Sequence, residues 1–80
     1  MTVENTYKNF KELENLVATK FGLEHPYTIT FFQQSETIQD IIKKHKKTDI
    51  DKFCVAFNEM YFTELKNVIL NDYKASINNY

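Results

Sequence analysis

The chain has 80 residues, ten of them Lys and none Arg, against eleven acidic residues, for a net charge of −1. That length makes one domain with a small core, and that charge gives no overall attraction to phosphate. One Gly leaves too few for a phosphate loop or a dinucleotide-binding turn, and one Cys precludes a disulfide within the chain.

The first element is a helix from about residue 3 to 21. Tyr7, Phe10, Leu13, Val17 and Phe21 recur at steps of three and four, with Leu16 beside them, and Lys8, Lys11, Glu12, Asn15 and Thr19 take the other side. Gly22 falls where a left-handed cap ends a helix.

Residues 23–34 admit two readings. His25 precedes Pro26 and is biased toward extended backbone as a turn residue. Tyr27-Thr28-Ile29-Thr30-Phe31-Phe32 is entirely β-branched or aromatic, which predicts a short strand at 27–32. The competing reading sets Pro26 in the first turn of a helix, with Tyr27, Phe31, Ile38 and Ile42 along one stripe.

A second helix is expected over 35–46, with Ser35 as N-cap and Ile38, Ile41, Ile42 and His45 on one face. It ends in Lys43, Lys44, Lys46 and Lys47, a candidate patch for a polyanion that also suits the negative end of the helix dipole. His45 is read as a boundary residue at the core edge. A third helix is expected over 50–74, capped by Thr48 or Asp49, with a frayed tail at 76–80. Its main stripe is Ile50, Phe53, Cys54, Phe57, Met60, Tyr61, Leu65 and Val68, and Cys54 on that stripe reads as a buried thiol.

A second apolar row, Val55, Phe62, Ile69 and Tyr73, lies beside that stripe. At about 100° per residue the two rows cover roughly 220° of the helix, far more than one buried face. The expected core is Phe10, Leu13, Val17, Phe21, Ile38, Ile41, Ile42, Phe53, Phe57, Met60, Tyr61, Leu65 and Val68. The second row is the candidate interface, either for a second copy or for a foreign protein. A helix wrapped by its own chain is the competing explanation.

Catalysis finds little footing. Glu59 and Glu64 are five apart and diverge on a helix, Glu12 and Glu14 also diverge, and Asp49 and Asp51 flank a helix start. His25, His45 and Cys54 are not at metal-ligand spacing. No catalytic, metal or cofactor site is implied. The longest unbroken apolar run is Phe53–Phe57, against roughly 20 residues for a membrane helix. Met1–Asn5 shows no apolar signal core and no myristoylation glycine, so a cytoplasmic protein is expected. Phe, Tyr, Met, Ile, Asn and Lys make up nearly half the chain. Their codons are AT-rich, which suggests a low-GC bacterium, its phage or a mobile element.

The expectation is therefore a mainly α, three-helix single domain acting as a non-catalytic protein-binding regulator or inhibitor, with a protein partner, a homodimer or both. The alternative is a dimeric DNA-binding regulator. Read as strand, helix, helix, residues 27–73 resemble the ribbon-helix-helix family in the order of elements. That resemblance implies Thr28 and Thr30 facing DNA and Tyr27, Ile29 and Phe31 in the core. The strand lacks alternating Lys, Arg, Asn or Gln, and an extra helix precedes it.

Overall fold

The computed structural model describes residues 2–44 and 47–78, without the side chains of residues 2, 47–49 and 78. Every element in it is helical. Helix α1 spans Thr2–Phe21 and α2 spans Pro26–Lys44. Helix α3 (Lys47–Ala56) passes through a π turn (Phe57–Tyr61) directly into α4 (Phe62–Asn78), so the last three form one continuous C-terminal rod.

Helix α1 is the central element. Its buried residues Thr6, Phe10, Leu13 and Val17 keep the expected spacing of three and four. Gly22 then takes φ +96° and its N–H donates to the Ala18 carbonyl at 2.9 Å, the left-handed cap expected there.

The next turn corrects the strand expected at 27–32, because α2 begins at Pro26. Pro suits the first helical position, where its missing N–H has no intrahelical partner to lose. His25 precedes it as the cap: its Nδ1 accepts the Tyr27 N–H at 3.0 Å, and its carbonyl accepts the Ile29 N–H at 3.1 Å. Helix propensities separate ordinary residues by at most about 0.7 kcal/mol each, so burial can override them. Thr28, Ser35 and Ile42, seven apart, are buried on α2, and Tyr27, Phe31 and Ile38 pack against the core. Ser35 is therefore mid-helix rather than an N-cap, and Ile41 is exposed rather than core.

The rod extends beyond 50–74 at both ends, and residues 76–78 of the expected frayed tail are helical. Its inward residues are Ile50 and Cys54 before the π turn, Phe57 at its first position, then Phe62, Leu65 and Ile69 after it. The step from Phe57 to Phe62 is five residues. A π turn takes up one residue more than an α turn, so the inward face shifts by one position while still meeting α1. That shift corrects the expected core. Met60, Tyr61 and Val68 are exposed, Phe53 lies 38% exposed, and Ile69 is only 1% exposed. The core itself is Phe10, Leu13, Val17, Ile42, Ile50, Cys54, Phe57 and Ile69.

Polar contacts fix both packings. Ser35 Oγ donates to Glu14 Oε1 at 2.7 Å, and Gln39 Nε2 donates to Ser35 Oγ at 2.9 Å and Glu14 Oε1 at 3.3 Å, tying α2 to α1. Thr6 Oγ1 and Asn9 Nδ2 donate to Asn58 Oδ1 at 3.3 and 2.8 Å, tying the π turn to α1. Lys66 pairs with Glu12 at the surface. Both α2 and the rod pack on α1, and neither packs comparably on the other.

Candidate protein-binding groove

Because α2 and the rod share α1 as a support without closing on each other, a groove runs between them. One wall is Tyr27, Phe31, Gln34 and Ile38 from α2. The other is Phe53, Phe57, Tyr61, Leu65 and Val68 from the rod, with Phe10 of α1 beneath. The groove has two lobes of about 540 and 290 Å³, which share Leu65 and Val68. Among the described residues that line it, Glu64 is the only carboxylate.

The wide end is held by an aromatic cluster. The Tyr27 ring stacks on Phe21 at 4.2 Å, Tyr73 meets Phe21 edge-on at 5.8 Å, and Lys20 Nζ lies 5.3 Å from the Tyr73 ring centre. Tyr27 Oη donates to Asp72 Oδ2 at 2.7 Å, linking α2 to α4. Burial first, then that bond and the Asp72 charge, push the Tyr27 phenol up to about 12. At the narrow end, Phe57 stacks on Phe10 at 4.4 Å and faces Phe53 at 6.2 Å.

The four residues of the expected interface row are not one surface. Val55, before the π turn, is exposed, while Ile69, after it, is core. Phe62 packs against the core with Lys66 Nζ 4.4 Å from its ring centre, and Tyr73 belongs to the Phe21 cluster. The π turn splits the row, and of its four residues only Val55, which does not line the groove, is left exposed.

Lys43 and Lys44 are exposed at the end of α2. Lys46, His45 and the side chain of Lys47 lie outside the described residues, as do the side chains of Thr48 and Asp49. Cys54 is fully buried. Among the described residues no three His, Cys, Asp or Glu gather as a metal site, and no helix is long and apolar enough to cross a membrane. The ribbon required by the ribbon-helix-helix resemblance is absent from 27–32, and Thr28 is buried inside the fold.

Sequence reasoning missed the groove because it used the competing stripe of Tyr27, Phe31 and Ile38 only as an alternative to a strand. That stripe was the available signal. Comparison with known proteins returns no matching family model, no matching curated protein and no matching solved structure.

Proposed function

We propose that the protein is a non-catalytic, cytoplasmic regulator or inhibitor that binds another polypeptide through the groove between α2 and the C-terminal rod. The observation that carries this reading is the exposure of Tyr61 and Val68, at 48 and 49%, beside a groove whose described lining holds a single carboxylate. Interface centres are depleted of charge and enriched in aromatic side chains. A groove walled by two helices suits an amphipathic helix, which lays its apolar side chains between the walls. The cytoplasmic assignment rests on the single thiol of the sequence, which suits a reducing compartment. An AT-rich phage or mobile-element origin fits a small factor acting on a host protein.

Capture from a nuclease-treated host lysate tests the reading when wild type is compared with Val68→Lys and Val55→Lys. A stoichiometric protein held by wild type and Val55→Lys, and lost with Val68→Lys, supports the groove. Equal capture by all three, or by none, refutes it.

A further inference from the structure

We infer that the groove's first occupant is a second copy of this chain, related by a twofold axis; the inference rests on reading the groove as a protein-binding surface. The argument begins with area. A folded monomer of 9.6 kDa exposes about 5,100 Å². This chain exposes 5943 Å². The excess, about 850 Å², matches the roughly 800 Å² that each partner gives up in a standard interface.

The chain is also elongated, which adds to its exposed surface. The Cα extents are 47 × 22 × 15 Å, and the radius of gyration is 13.7 Å against about 11.6 Å for a compact domain of this length. The molecule is a slab, and the groove opens along it because its two walls do not meet.

A twofold contact requires one patch to supply both the projecting and the receiving surface. The patch does so. Phe53, Tyr61 and Val68 follow one another along the rod over about 22 Å and form an exposed apolar ridge. The groove they border is the matching concavity. Two copies set antiparallel place each ridge in the other's groove. Charge permits this, because with Glu64 as the only carboxylate among the described lining residues, few like charges come face to face. A strongly charged foreign helix would find only Glu64 to pair with among the described lining residues. Self-association and target binding then compete for one groove.

Sedimentation equilibrium of the purified full chain, from about 1 to about 100 µM, tests this, since interfaces of this size span micromolar to picomolar affinity. Wild type and Val55→Lys should be dimers. Val68→Lys should weaken the dimer about 100-fold, as expected for charge placed at an interface centre. Tyr61→Lys is the second variant, and far-ultraviolet circular dichroism checks that both keep their helices. A wild type that stays monomeric over the whole range overturns self-association and leaves the groove reading to the lysate test. A dimer that survives both Val68→Lys and Tyr61→Lys overturns the groove as its interface.

Discussion

Ile69 and Met60 separate the two ways of winding the C-terminal rod. A uniform α-helix at 100° per residue, phased on Phe53 and Phe57, turns Met60 inward and leaves Ile69 on the second row. With the π turn at Phe57–Tyr61, Ile69 is 1% exposed and Met60 57%. Ile69→Ala removes three buried carbons, worth about 2.4 kcal/mol of transfer free energy at 0.8 each. The cavity left among Ile69's neighbours adds up to about 1.5 kcal/mol more, depending on how far they relax. The expected loss is about 3 kcal/mol, a large part of the roughly 4–12 kcal/mol that holds a domain of this length. In a thermal melt followed by circular dichroism that is a fall in Tm of roughly 12–24 °C. Met60→Ala should stay within about 0.5 kcal/mol, since the side chain is mostly in water and Ala is the better helix former. If Met60→Ala costs several kcal/mol and Ile69→Ala almost nothing, the π turn and the inward face derived from it are wrong.

Four further outcomes are expected. Phe62→Lys should cost about 2 kcal/mol in urea unfolding, because Phe62 packs on the core, whereas Val55→Lys should leave the midpoint nearly unchanged. Tyr27→Phe should cost about 0.5–1 kcal/mol at neutral pH through loss of the bond to Asp72. The wild-type phenol ionises at 10.0 when unfolded and about 12 when folded, so its contribution is complete below pH 10 and is lost as pH rises through 12; the stability difference between wild type and Tyr27→Phe should shrink in that window. Gly22→Ala should cost about 1 kcal/mol from the left-handed φ alone, since nothing lies within 4 Å of the added Cβ; no loss in a melt would show that the cap relaxes freely. Ser35→Ala and Glu14→Ala should each cost about 1–2 kcal/mol, with a coupling of at least about 0.5 kcal/mol in a double-mutant cycle; strict additivity would mean the Ser35–Glu14 bond contributes nothing.

Much of the fold is legible where one physical signal acts alone. In α1 the stripe of Phe10, Leu13 and Val17 meets one support, and Gly22 ends it as its φ requires. Residues 27–32 mislead because local propensity and tertiary burial disagree there. Pro26 and the His25 cap start a helix whose buried side contains Thr28 and Ser35, two small polar residues that no hydrophobic pattern marks as inward. The rod misleads for a geometric reason. Periodicity assumes a constant turn, and one extra residue at the π turn changes the phase of everything from Phe62 onward. The excess of apolar surface on the rod was readable from its composition, but which residues supplied it depended on that phase.

Methyl NMR of Ile38, Leu65 and Val68 against Ile29 and Val55 tests most directly whether the groove is where this chain meets other polypeptides. The first three line the groove and the last two do not. As a second polypeptide is added, either the chain itself at rising concentration or a captured target, Ile38, Leu65 and Val68 should shift while Ile29 and Val55 stay fixed. Shifts confined to Ile29 or Val55 would contradict the groove and place the contact elsewhere on the chain.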